Sequence, residues 1–145
     1  MLIDWDDIDT VLLDMDGTLL DLQFDNFFWN TYLPKRYAEL RNISLQEANK
    51  LIFMMSDKIK GTLNWYSTEY WSKELAVDIY QLKKEISSQI KIRPFVQEFL
   101  DQLKLRGKRR ILVTNAHPQS LELKISITKI DILLDSIYTS HQFHH

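Results

Sequence analysis

Val11-Leu12-Leu13-Asp14-Met15-Asp16-Gly17-Thr18-Leu19-Leu20-Asp21 is the stretch from which the rest of this 145-residue chain is read. An apolar run stops at two carboxylates one residue apart, followed by a glycine and a hydroxyl. Val11 to Leu13 read as a strand in a sheet covered on both faces. Asp14 and Asp16 then fall at its carboxyl end, where open α/β sheets bind ligands. Alternate residues face the same way, so the two carboxylates repel unless a cation or a shared proton relieves them. Gly17 lets the backbone turn sharply and approach a ligand closely, and successive N–H groups in such a turn form a nest for an anion. Carboxylates, a hard cation such as Mg²⁺ and an anion nest in one loop point to phosphoryl chemistry. The competing reading of a bare Asp-x-Asp is a strand ending in a solvated acidic turn.

Composition sets the outer bounds. Hydrophobic residues make up 45% and charged residues 26%, with a net charge of -2, as in an ordinary water-soluble domain. That balance gives no electrostatic reason to expect nucleic acid as a partner. The absence of cysteine excludes disulfides, a thiol nucleophile and a zinc–thiolate site. Met1 to Asp9 is acidic where a secretory signal needs basic residues, and no apolar run approaches the ~18–20 residues that span a bilayer. The expected setting is cytoplasmic, with no membrane partner.

Outward from the first strand, Ile3, Trp5 and Ile8 are expected to cover its start. Phe24, Phe27, Phe28 and Tyr32 recur at helical spacing, so Leu22 to Leu33 read as a helix with an aromatic face, kinked or restarted by Pro34. Ser44 and Glu47 form a capping box for a helix carrying Leu45, Ala48, Ile52, Met55 and Ile59 on one side. Tyr66, Tyr70 and Trp71 are placed on one face of a further helix. Asp78 caps another, with Ile79, Leu82, Ile86 and Ile90 inward. Residues 22–91 thus form a helical cap inserted between residues 1–21 and 92–145, which build the α/β core. Pro94 opens a helix with Phe95, Phe99 and Leu103 buried. Lys108-Arg109-Arg110 reads as solvated surface before the second strand, Ile111 to Val113. Pro118 to Lys129 is helical, and Ser136 to Ser140 supplies a third strand.

The second strand runs into Thr114-Asn115-Ala116-His117-Pro118. Thr114 can donate to a phosphoryl oxygen while Asn115 orients phosphate or substrate; helix capping ahead of Pro118 is the alternative. His117 reads as packing or capping rather than as an acid–base group.

D-M-D-G-T-L-L-D resembles the first signature of the haloacid dehalogenase-like (HAD) hydrolase superfamily, and an apolar strand followed by Thr-Asn resembles its second. The resemblance implies an α/β, Rossmann-like parallel sheet, here incomplete with about three strands, and a helical cap of the C1 type. It implies that Asp14 attacks phosphorus, that Asp16 acts as general acid and then base, and that Gly17, Thr18, Thr114 and Asn115 hold the phosphoryl group. It also implies that Asp14 and the main-chain carbonyl of Asp16 bind Mg²⁺. Asp16 favours phosphate over halide as the leaving-group chemistry. Thr62-Leu63-Asn64-Trp65-Tyr66 and Tyr70-Trp71-Ser72, with Asn115-Ala116-His117-Pro118, resemble the GMP/IMP 5′-nucleotidase subgroup. That likeness implies a purine nucleoside monophosphate substrate, with Trp65 and Tyr66 stacking on the base or else filling the cap's own core.

Only the family's opening portion is matched. Neither its lysine nor its last acidic strand has a counterpart, and Lys124 and Lys129, on a helix and too early, are left without that role. The last two residues, His144 and His145, read as a tag remnant or an altered terminus. The expectation is therefore feeble hydrolysis by this chain, and an exposed first strand that self-associates or accepts a second polypeptide. A noncatalytic, degenerate interaction or binding protein is the alternative.

Overall fold

A computed structural model describes residues 3–142 of the chain, so His144 and His145 lie outside it. Three parallel strands, β1 (Thr10–Leu13), β2 (Arg109–Thr114) and β3 (Ser136–Thr139), lie side by side in the order β1-β2-β3. Leu13 pairs with Leu112, and Leu112 with Ile137. Between β1 and β2 run α1 (Gln23–Phe27), a π-helical turn (Phe28–Tyr32), α2 (Leu33–Arg41), α3 (Leu45–Ile59), α4 (Thr68–Leu75), α5 (Ile79–Glu85) and α6 (Val96–Leu105). α7 (Pro118–Thr128) connects β2 to β3. None of the described helices is long and apolar enough to cross a membrane.

Local chemistry sets most of these boundaries. The Glu47 amide donates to the Ser44 hydroxyl at 3.2 Å and the Ser44 amide to the Glu47 carboxylate at 2.9 Å, the capping box that starts α3. The Gln81 amide donates to Asp78 at 2.9 Å and starts α5. Pro34 sits in the first turn of α2, where a missing N–H costs nothing, so the helical path continues through it. The insertion leaves and rejoins the sheet region at one place. The Asp21 amide donates to the Lys91 carbonyl at 2.9 Å and the Arg93 amide to the Leu19 carbonyl at 3.0 Å. Phe24, Phe28, Trp71 and Ile79 from the insertion share one buried cluster with Leu13, Leu100 and Leu112 from the sheet side.

Several expectations are corrected. The sheet is covered on one face alone among the described residues. Successive right-handed crossovers that step the same way put their helices on the same side, so Leu13 and Leu112 are buried there, while on the other side Leu12 is 67% exposed, Val113 45% and Tyr138 42%. The position of β1 at the sheet edge, by contrast, is as expected. α6 begins two residues later than Pro94 suggested, after Phe95 in a left-handed conformation (φ 65°). Its phase shifts accordingly: Val96, Leu100 and Leu103 face the core and Phe95 is 80% exposed. Trp5 packs on the core, whereas Ile3 stands in solvent. Tyr66 belongs to a short 3₁₀ turn (Leu63–Tyr66) ahead of α4, not to the helix carrying Tyr70 and Trp71.

Arg110 is likewise buried rather than solvated. Its guanidinium donates from Nε at 3.0 Å and Nη2 at 2.7 Å to the two oxygens of Asp135, and its amide adds a bond at 2.7 Å. This fork fixes the loop that enters β3. The same bonds depress the Asp135 carboxyl from 3.8 to about 2. Because the folded-state value is the lower one, the stabilisation is complete above 3.8 and lost as pH falls toward 2. Urea unfolding of wild type and Asp135→Asn should differ at neutral pH, and the gap should close across that window.

Candidate active site

The loop after β1 is wound tightly around one carbonyl. The amides of Leu19 and Leu20 both donate to Met15 O at 2.9 Å, and that of Gly17 donates to Leu20 O at 2.8 Å. Gly17 has φ +80°, and a Cβ there would stand 2.9 Å from Leu22 Cδ1, so both backbone and space demand glycine. Within this loop the two aspartates part company. Asp14 is exposed, and its carboxylate accepts from the Met15 amide at 2.7 Å, which fixes its rotamer at the strand end. Asp16 turns inward toward α7, where the Lys124 ammonium donates to it at 2.6 Å. Thr18 is exposed.

At the neighbouring strand end Thr114 is buried, and its hydroxyl accepts from the Ala116 amide at 3.1 Å. Asn115 is exposed, with its carbonyl 3.1 Å from His141 Nε2. His117 serves as the cap of α7, its Nδ1 lying 2.8 Å from the Thr68 hydroxyl. Burial and the adjacent His141 lower its pKa.

Between the insertion and the strand ends lies a cavity of about 790 Å³. Asp16 lines it, as do Trp65 and Tyr66; Asp14, Gly17, Thr18, Thr114 and Asn115 stand outside its wall. Among the wall residues not singled out from the sequence as site groups, four are charged: Asp25, Lys50, Lys83 and Lys124. Lys124 Nζ donates to both oxygens of Asp25, at 2.9 and 2.7 Å, as well as to Asp16, so one ammonium joins the insertion to the loop after β1. Burial raises the Asp16 pKa above the usual carboxyl value; Lys124 opposes that rise and Asp25 adds to it. Lys83 is fully buried, donates to the Ser120 hydroxyl at 2.9 Å and sits over the rings of Phe28 and Trp29. Desolvation, with Lys124 nearby, pulls its pKa down to about 8. A lysine on the apolar stripe of a helix was the available signal: Lys83 lies between Ile79 and Ile86 at i+4 and i−3, and Lys124 follows Leu121 at i+3.

A carboxylate at a strand end, a second one turned into a cavity and an inserted helical layer together define a sheet-edge hydrolase. The chain belongs to the haloacid dehalogenase-like hydrolase family, whose model matches residues 8–144. It is 43% identical over 141 residues to GMP/IMP nucleotidase YrfG of Escherichia coli (strain K12), and equally to that of Shigella flexneri. The match takes in 97% of this chain and 64% of each relative, so the chain spans a little under two thirds of their length. In fold it is similar to a HAD phosphatase from Thermococcus onnurineus (TM-score 0.78, 20% identity, covering 91% of this chain and 62% of that one). It is also similar to L-2-haloacid dehalogenase from Xanthobacter autotrophicus (TM-score 0.55, 14% identity, 94% and 58%). The alternative of a noncatalytic binding protein gains no support from these matches.

The buried ammonium of Lys83 makes a stability prediction. Its folded-state pKa of about 8 lies below the ordinary 10.5, so between those values the unfolded chain holds the extra proton and stability rises with pH. Lys83→Met should remove that rise and stabilise the fold at pH 7 by on the order of 2–3 kcal/mol, read from urea unfolding at pH 7 and pH 10.

Proposed function

We propose that the chain carries the reacting half of a Mg²⁺-dependent phosphomonoester hydrolase acting on purine nucleoside 5′-monophosphates of the GMP and IMP kind. The observation that carries this reading is the position of Asp16, which belongs both to the loop that holds Asp14 and to the wall of the cavity. Asp14 attacks phosphorus while Asp16, protonated, gives its proton to the departing 5′ oxygen, and the P–O bond breaks to leave an aspartyl phosphate and the nucleoside. Water then attacks the phosphorus of that intermediate, Asp16 takes its proton, and phosphate leaves with Asp14 restored. A raised pKa suits Asp16 to the first of these tasks.

Mg²⁺ fits the loop. Among the described residues nothing donates to the Asp16 main-chain carbonyl, and no three carboxylate or imidazole groups converge on a common point. Mg²⁺ is commonly held by one or two carboxylates together with substrate phosphate and water, here by the Asp14 carboxylate and that carbonyl. Bound there, it supplies neutralisation of phosphoryl charge. Gly17, Thr18, Thr114 and Asn115 hold the phosphoryl oxygens from the two strand ends. Trp65 and Tyr66 present aromatic surface to the purine, and the resemblance to the nucleotidases favours that base class.

Turnover by the 145-residue chain should be slow. The buried cation beside Asp16 is already shared with Asp25, and loss of one electrostatic stabiliser typically costs ~10²–10³ in rate. Phosphate release with Mg²⁺ from IMP, GMP, AMP and sugar phosphates tests the reading. IMP and GMP should exceed AMP and the sugars, Asp16→Asn should lower the rate ~10²-fold or more, and Asp14→Asn should abolish it. Release that survives Asp14→Asn removes the nucleophile; equal rates on all substrates remove the purine assignment.

A further inference from the structure

Asp25 has more acceptor capacity than its pairing with Lys124 uses. Lys124 gives one hydrogen bond to Asp16, and Asp25 meets it with both oxygens from α1. α1 and the π-helical turn after it turn Asp25, Asn26, Trp29 and Asn30 toward the cavity, residues related as i, i+1, i+4 and i+5 and thus on one helical face. A carboxylate has about four acceptor positions. Within the described residues Asp25 uses one on each oxygen for Lys124, so acceptor capacity remains on a residue that lines the cavity.

The charges of the surroundings choose the ligand group. Asp16, Asp25, Lys83 and Lys124 line the cavity together, with Lys50 also on its wall. An anion has no proton to give the Asp25 lone pairs, and a ligand cation would compete with a lysine that is already buried. A neutral hydroxyl donor fits the free lone pairs without adding charge. Position then narrows the choice. Asp16 and Asp25 meet at a single ammonium nitrogen, at 2.6 Å and 2.7 Å, so a group bound to Asp25 lies close to the oxygen that Asp16 protonates. In a nucleoside 5′-monophosphate the sugar hydroxyl nearest that oxygen is the one on C3′.

We propose that Asp25, held by Lys124, accepts a hydrogen bond from the 3′-hydroxyl of the sugar, and that this contact selects nucleotides with a free hydroxyl there. The inference rests on the nucleotide reading above and deepens it by naming a specificity-determining residue for the sugar. It places the ribose between the Asp16–Lys124–Asp25 floor and the aromatic wall of Trp29 and Trp65.

Quenching of the cavity tryptophans tests it without turnover, with IMP, 2′-deoxy-IMP and 3′-deoxy-IMP titrated into the whole chain in EDTA. Loss of a hydrogen bond to a charged group should weaken 3′-deoxy-IMP roughly tenfold or more, with 2′-deoxy-IMP within about twofold of IMP on the same scale. Equal binding of IMP and 3′-deoxy-IMP, or equal weakening by both deletions, overturns the assignment and leaves the nucleotide reading standing. Failure of all three to bind overturns that reading and this one together. In Asp25→Asn the IMP to 3′-deoxy-IMP ratio should fall toward one; a folded variant that keeps the wild-type ratio also overturns it. The comparison of ligands on the wild type needs no variant to fold.

Discussion

The ammonium of Lys124 is the point on which the site depends. It is buried, and taking such a charge out of water costs several kcal/mol unless good partners surround it. Those partners come from two separate parts of the chain, Asp16 from the loop after β1 and Asp25 from α1. Both parts bring negative charge to the buried lysine, so the pairing ties the insertion to the loop after β1 through electrostatics. It also explains why Asp16 turns away from Asp14 instead of sharing its direction, as simple alternation along a strand would have it.

The arrangement of the sheet is the second constraint. With β1 at the edge and the connecting helices on one side, most of the burial comes from one face, and the same face receives the helical insertion. Leu12, Val113 and Tyr138 form an apolar strip on the other face. Contiguous apolar surface of this kind is uncommon on an isolated soluble domain. The Arg110–Asp135 fork therefore matters more than it would in a sheet covered on both sides. It locks the β2–β3 side by charge-assisted bonds where packing is available from one direction only.

Much of this was legible in local sequence. The strand-ending acidic loop, the capping box at Ser44, the cap at Asp78 and the glycine requirement at residue 17 all follow from groups a few residues apart, which spacing reports directly. What failed depends on distant contacts or on helix phase. Phe95 and Phe99 have the right spacing for a buried face, but the left-handed residue before Val96 sets the phase of α6 so that Val96 and Leu100 join the expected Leu103 in their place. Val11 to Leu13 are apolar enough for a doubly covered strand, yet coverage is decided by which way later crossovers step. Lys124 meets Asp16 across 108 residues and Asp25 across 99, a separation at which spacing carries no information. Its trace in the sequence is a charge set in an apolar helix stripe, the same anomaly that marks Lys83.

The division between Asp14 and Asp16 gives the site its direction. Asp14, Thr114 and Asn115 stand at strand ends outside the cavity wall. Asp25, Lys83, Trp65 and Tyr66 belong to the wall, which carries three lysines, two aspartates and five aromatic rings. The strand ends leave a charged group its water, while aromatic surface inside the cavity rewards burial of an apolar ring. Asp16 alone among the expected phosphoryl-site residues lines the cavity. Its carboxyl therefore stands at the junction of the two regions, joined to one by the chain and to the other by the Lys124 ammonium.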